Sequence, residues 1–303
     1  MNLSKYLIVI TGPTGIGKTD LSIKLNQTFQ TSIVSADSRQ IYKEMSIGTA
    51  KPTSVEIAEG NIKLVDHISV SEDYNVGLFE QEALNAIGKD HKNKQASIMC
   101  GGTGLYIKVV CEGIDTYPDV PKDVIVNIEA ELDNEGIESL QKRLKELDPV
   151  HYEKVDINNK HRIIRALSII DYTGESFSSY QSMRIVNRPF KTINIVLDDD
   201  RASIYKRIEN RVDRMISNGL INEVESLLKF RTYNALNTVG YSEVFQYLDG
   251  EITKDFCISE IKKNTRRYAK RQLTWLRKYN PGKRFSAYDY NGIKDYIEQI
   301  IGL

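Results

Sequence analysis

Gly12-Pro13-Thr14-Gly15-Ile16-Gly17-Lys18-Thr19 is an uninterrupted G-x-x-x-x-G-K-[ST] stretch. It lies directly after the apolar run Leu7-Ile8-Val9-Ile10 and before a helix-like segment that begins near Asp20. A strand, a glycine loop and a helix in that order make a cradle for phosphate. The glycines let the backbone turn several N–H groups inward, and the helix N-terminus adds partial positive charge. Gly12, Thr14, Gly15 and Gly17 are expected to shape this cradle, and Lys18 to bring a full charge. Thr19 is placed to put its hydroxyl on the Mg²⁺ that accompanies a di- or triphosphate, because hard cations take oxygen ligands. Which phosphate compound the loop holds stays open.

Outward from the loop, strand and helix signals alternate up to about residue 112. Ser32-Ile33-Val34-Ser35-Ala36 reads as a second strand and Ala96-Ser97-Ile98-Met99-Cys100 as a further one, ending at Gly101-Gly102. Such alternation predicts a parallel sheet with helices on both faces and ligands gathered at the carboxyl ends of the strands, where Asp37 and Thr103 fall. From residue 116 to 187 the character changes to charged helical segments, Asn127 to Leu147 and His161 to Tyr172, and this stretch reads as inserted. Thr192 to Leu197 then resumes the sheet and Ser203 to Ser217 adds a helix. The predicted organisation is an α/β, P-loop NTPase-like core made of residues 1–115 and 188–303, interrupted by an all-helical subdomain at 116–187.

With 303 residues the chain can bury a large core. Its 41 Lys and Arg balance 41 Asp and Glu, so affinity for nucleic acid has to come from a local patch and not from net charge. Cys100, Cys111 and Cys257 are odd in number and far apart, with no C-x-x-C pair, which argues against a disulfide framework or a zinc site. The only early apolar run leads straight into the phosphate loop, and none approaches bilayer length, so no membrane association and a cytoplasmic location are expected.

The local patch is Lys262 to Arg284: ten basic residues and no acidic one. Ile258, Ile261, Thr265, Ala269, Gln272 and Leu276 recur with helical period and predict the buried stripe, leaving the cations on the other faces. A charge run is commonly just a solvated face. Here no Glu or Asp is present for i,i+4 pairing, and Tyr268, Trp275 and Tyr279 stand beside the cations, a pattern suited to phosphate contacts and base stacking.

An ordinary kinase or ATPase usually carries an apolar strand ending in an acid that holds Mg²⁺, whereas the best candidate here ends Cys100-Gly101-Gly102-Thr103. The acid is Asp37 instead. After its strand it can hold metal, cap the next helix, or take a proton from a nucleophile. On the residues alone, a P-loop kinase or ATPase acting on a small metabolite, and a non-enzymatic RNA-binding protein with a nucleotide switch, remain alternatives.

At this point the chain resembles the bacterial tRNA dimethylallyltransferases, also called isopentenyl-diphosphate:tRNA isopentenyltransferases. The matching segments run nearly end to end. They are Gly12 to Thr19, Asp37-Ser38 with Gln40-Ile41-Tyr42, Ile47-Gly48-Thr49-Ala50-Lys51-Pro52, Gly101 to Tyr106, Arg162 to Leu167, Thr238-Val239-Gly240-Tyr241, and Thr265 to Arg277. The phosphate loop alone is unspecific, but its conjunction with Ile47 to Pro52 and Tyr268 to Trp275 is highly specific.

The resemblance implies a Mg²⁺-dependent enzyme that moves a dimethylallyl group from its diphosphate to the exocyclic amine of the adenosine 3′ of a tRNA anticodon; a monomer is expected. Asp37 becomes the general base, Thr103 orients the amine or the base, and Arg211 matches the family's pyrophosphate-binding arginine. Asp37, Ser38, Arg39, Gln40, Thr103, His161, Arg162, Arg165, Gly240, Tyr241, Lys270 and Arg271 become contacts for the anticodon stem-loop. The sequence departs from the family pattern at Ser168, where glutamate is common, and at Ile125, near a common RNA-contacting arginine.

Overall fold

The computed structural model describes residues 4–181, 186–280 and 282–302. Its first unit, Met1–Glu112 with Asn187–Leu303, carries β1 (Tyr6–Thr11), α1 (Lys18–Phe29), β2 (Ile33–Ser35), α2 (Ser54–Glu59), β3 (Ile62–Lys63), α3 (Val76–His91), β4 (Ala96–Gly101) and α4 (Gly104–Glu112). The second unit, Gly113–Val186, holds α5 (Lys122–Glu135), α6 (Ile137–Leu147), α7 (Pro149–Tyr152) and α8 (Lys160–Thr173). The chain then returns to the first unit through β5 (Lys191–Leu197), α9 (Arg201–Ser217), α10 (Leu220–Ser226), α11 (Tyr241–Leu248), α12 (Lys254–Tyr279), β6 (Lys283–Phe285) and α13 (Tyr290–Ile301).

The six described strands form one parallel sheet in the order β3-β2-β4-β1-β5-β6. All six residues of β1 are buried, and the strand is hydrogen-bonded to β4 on one side and β5 on the other. Its side chains alternate between two cores, as the period of a strand requires. Tyr6, Ile8 and Ile10 pack with α1, α9 and α13, while Leu7 and Val9 pack with α3 and α4. A buried aliphatic side chain of this kind contributes about 1.5–3 kcal/mol, so Val9→Asp would break the sheet at its centre.

The predicted helix over Asn127 to Leu147 is two helices. Gly136, at φ 81°, takes a conformation closed to side-chain-bearing residues and divides α5 from α6. The helical unit has its own core of Ile128, Leu140, Leu144, Ile163, Leu167, Ile170 and Phe177. Ser168 lies inside that packing, 1% exposed, with its hydroxyl donated to Arg165 O at 3.0 Å. No helix among the described residues is long and apolar enough to cross a membrane.

Candidate active site

The residues singled out in the core gather at the carboxyl edge of the sheet because parallel strands all end there. β1 delivers the phosphate loop, β2 delivers Asp37, and β4 delivers Gly101, Gly102 and Thr103. Gly15 and Gly17 have φ of 78° and 98°, the left-handed backbone that the loop needs to bend into α1. Gly17 caps α1 without any side-chain hydrogen bond, which leaves first-turn N–H groups of the helix available to an anion.

These elements enclose a cavity of about 660 Å³ lined by Thr14 to Thr19, Asp37, Gln40, Lys51, Arg207, Arg211, Arg214, Tyr268 and Gln272. Lys18 Nζ donates to Gly12 O at 3.0 Å and to Pro13 O at 2.9 Å. Burial pushes its ammonium down to about 8; Cys100 and Asp37 oppose the shift and Arg211 adds to it. Asp37 Oδ1 accepts the backbone N–H groups of Arg39 at 2.9 Å and Gln40 at 3.3 Å, so the carboxylate caps its turn while lining the cavity.

On α9, two arginines one turn apart have opposite surroundings. Arg207 is committed to protein, with Nη2 on Asp199 Oδ2 at 2.6 Å and Nη1 on the Tyr288 hydroxyl at 3.2 Å. Among the described residues no carboxylate lies within ion-pair distance of Arg211, which donates from Nη2 to Thr49 O at 3.1 Å. Burial lowers its pKa, Asp37 raises it again, and Arg214 lowers it further.

A second cavity of about 310 Å³ is lined by Ser38, Thr103, Ile107, Arg271, Trp275 and Leu276, and shares Gly101, Gly102, Tyr268 and Gln272 with the first. Thr103 Oγ1 accepts the Ser38 N–H at 3.0 Å and donates to Ser38 Oγ at 3.3 Å. Gln272, assigned from the sequence to the buried stripe of α12, clasps the shared wall. Its Oε1 accepts the Thr14 N–H at 2.8 Å and its Nε2 donates to Gly102 O at 3.0 Å. An amide on a largely apolar stripe was the available signal for this role.

The basic segment runs through α12 into β6, and its cations are less alone than the sequence suggests. Lys262 pairs with Asp213 at 2.6 Å, Arg266 with Glu209 at 2.8 Å, Lys263 with Glu260, and Arg284 with Asp198 at 2.7 Å. The missing acids come from α9, the strand-end loop, and Glu260 just before the segment. Lys270, Arg271, Arg277 and Lys278 are exposed, and none of them forms an ion pair among the described residues.

Other expected RNA contacts fall in two groups. His161, Arg162 and Arg165 are exposed on the first turns of α8, with the Arg165 guanidinium 5.7 Å from the Tyr117 ring centre. Arg39 ties the chain to Asn234 O at 3.1 Å and Asn237 O at 3.3 Å, and Gln40 Nε2 donates to Thr49 O and Ala50 O, each at 3.2 Å. Gly240 and Tyr241 need correction: Gly240 is a buried cap and Tyr241 is 0% exposed. The Tyr241 hydroxyl donates to Glu223 Oε1 at 2.7 Å, so these residues belong to the packing beneath the site and not to an RNA-facing surface. Glu223 itself gave no sequence signal, because the amides it binds lie far away in the chain.

The family model for IPP transferase matches residues 40–279. The tRNA dimethylallyltransferase of Christiangramia forsetii is 48% identical, over 99% of this chain and 99% of its own length. That of Cytophaga hutchinsonii is 42% identical, over 98% and 97%. Among solved structures, the tRNA isopentenylpyrophosphate transferase of Bacillus halodurans gives a TM-score of 0.73 at 33% identity, covering 98% of this chain and 97% of that one. A eukaryotic dimethylallyltransferase acting on tRNA gives 0.80 at 26% identity, covering 98% and 77%. The phosphate loop, the sheet order and these end-to-end matches agree: the chain has the P-loop NTPase-like fold and belongs to the IPP transferase family of tRNA dimethylallyltransferases.

Proposed function

We propose that this chain transfers the dimethylallyl group of dimethylallyl diphosphate to N6 of the adenosine immediately 3′ of a tRNA anticodon, giving N6-isopentenyladenosine and diphosphate. The carrying observation is the pair of adjoining cavities. One is lined by the phosphate loop, Lys18 and Arg211, the other by Thr103, Trp275 and Arg271, and they share a wall formed by Tyr268 and Gln272. A diphosphate and a nucleobase can thus approach one reaction centre from different sides.

The allylic C1–O bond breaks with its electron pair leaving on the diphosphate, and the N6 lone pair forms the new N6–C1 bond. Lys18 and Arg211 meet the developing negative charge. Asp37 takes the N6 proton, because an aromatic amine is too weak a nucleophile to keep it as the bond forms. Thr103, fixed by Ser38, orients the amine. The donors in reach suit Mg²⁺: Thr19 offers a hydroxyl, the diphosphate offers oxygens, and this ion usually keeps several waters. When bound, it would neutralise charge on the leaving group.

The target base has to leave its stack to reach the sheet edge, at a cost of a few kcal/mol. Lys270 and Arg271 on α12, and His161, Arg162 and Arg165 on α8, are the cations that offset this cost through the RNA backbone. Incubating the protein with an anticodon stem-loop, dimethylallyl diphosphate and Mg²⁺ should add one prenyl mass to the target adenosine. An unchanged mass, or phosphate release from ATP without prenylation, would overturn the reading.

A further inference from the structure

Among the described residues Arg211 hydrogen-bonds to one carbonyl, Thr49 O, which also accepts a hydrogen bond from Gln40. What aims that carbonyl is the turn formed by residues 45–51. Thr49 Oγ1 donates to Met45 O at 2.8 Å, Ala50 N to Ile47 O at 2.9 Å, and Lys51 N to Ser46 O at 3.0 Å, with Ala50 in the left-handed region at φ 43°. Three successive N–H groups of this turn converge on one side chain. Glu223 Oε2 accepts Ser46 N at 3.0 Å and Ile47 N at 2.7 Å, and Oε1 accepts Gly48 N at 3.0 Å. The fourth donor is the Tyr241 hydroxyl at 2.7 Å.

A carboxylate only accepts, and four donors on its two oxygens fix it in place. Burial and the neighbouring Glu223 push the Tyr241 phenol well above its ordinary range, so its hydroxyl stays a donor. The packing is tight: a Cβ on Gly48 would lie 2.4 Å from the Tyr241 ring, which explains glycine at that position. Two segments that match the family, Ile47 to Pro52 and Thr238 to Tyr241, therefore meet on a residue that belongs to neither.

We propose that Glu223, held by Tyr241, is a positioning residue: by clamping the amides of Ser46, Ile47 and Gly48 it aims the Thr49 carbonyl and so sets the guanidinium of Arg211 over the diphosphate site. The inference rests on the reading of Arg211 as a diphosphate ligand. Glu223→Gln keeps the shape but turns an NH₂ group toward backbone donors. Tyr241→Phe keeps the ring against Gly48 and removes one hydrogen bond.

The test is a double-mutant cycle on kcat/KM for dimethylallyl diphosphate at saturating tRNA. Glu223→Gln should lower it about 10- to 100-fold, by analogy with side chains that orient metal ligands. Tyr241→Phe, short of one hydrogen bond, should lower it about 2- to 10-fold. In an Arg211→Ala background both losses should shrink to within about twofold, with the tRNA Kd unchanged throughout. Equal losses in both backgrounds, or no loss in the parent, would show that Glu223 only supports the fold and would overturn the inference. Parental diphosphate kinetics for Arg211→Ala alone would instead refute Arg211 as a ligand, and the positioning role would fall with it.

Discussion

α9 and α12 pack against each other and both are strongly cationic, yet they dispose of their charge in opposite ways. On α9, Arg207 is neutralised by Asp199 while Arg211, one turn on, lies half-buried in the cavity wall with no carboxylate partner among the described residues. On α12 the N-terminal cations Lys262 and Arg266 are paired with Asp213 and Glu209 of α9, and the exposed cations Lys270, Arg271, Arg277 and Lys278 follow toward the C-terminus. α9 therefore presents charge inward, to the cavity, and α12 outward, to the surface. The lesson is that cation density in a sequence marks where charge is abundant, and the acids of neighbouring elements decide where it remains available.

If the two helices serve different anions, variants on the cavity side should lose turnover and variants on α12 should lose RNA affinity. The largest effect is expected from Asp37→Ala, which removes the acid facing Arg211 and Lys18. Single-turnover transfer should fall about 10²–10⁴-fold with little change in tRNA binding. A normal rate would leave Asp37 as a cap for its turn and nothing more.

Next comes the pH response of the diphosphate site. Lys18 titrates near 8 in the free protein, and a bound diphosphate raises that value by favouring the ammonium. Binding then takes up a proton above about pH 8, so affinity should be level below it and fall by up to about tenfold per unit above it, until the bound-state pKa is reached. Calorimetry with inorganic diphosphate, compared with Lys18→Met, reads this directly. An affinity independent of pH between about 8 and 9.5 would place the Lys18 charge outside the binding event.

The smallest effect separates the two ends of α12. Neutralising Lys270 and Arg271 together should weaken tRNA binding and reduce its salt slope by about 1.4, or about 0.7 for each lost single-strand phosphate contact. Neutralising Lys262 and Arg266 should leave the slope alone and reduce stability by no more than about 1 kcal/mol per pair. Identical slopes for both double variants would erase the distinction.

Much of this site was legible because its chemistry is local. Gly12 to Thr19 carry their own spacing, and Asp37 and Thr103 follow strands whose apolar runs are visible. What sequence periodicity could not supply was pairing across distance. Glu209 and Asp213 sit some fifty residues before the cations they neutralise, and Glu223 joins residues 46–48 to 241. β3 and β6, with two and three residues, are too short to show a period. Tyr241 was misplaced because a match to a family segment says that a residue matters without saying which way it faces.

β1 lies between β4 and β5, and the helical unit separates those two strands in the chain. During synthesis from the N-terminus, β1 can pair with β4 as soon as residue 101 has emerged, but its other edge has no partner until residues 191–197 are made. The helices α5 to α8 pack on one another and need not wait. The central strand of the sheet, all of it buried in the finished molecule, thus spends that interval with one row of N–H and C=O groups unpaired. That is an aggregation-prone edge whose lifetime is set by the rate of elongation through the insertion.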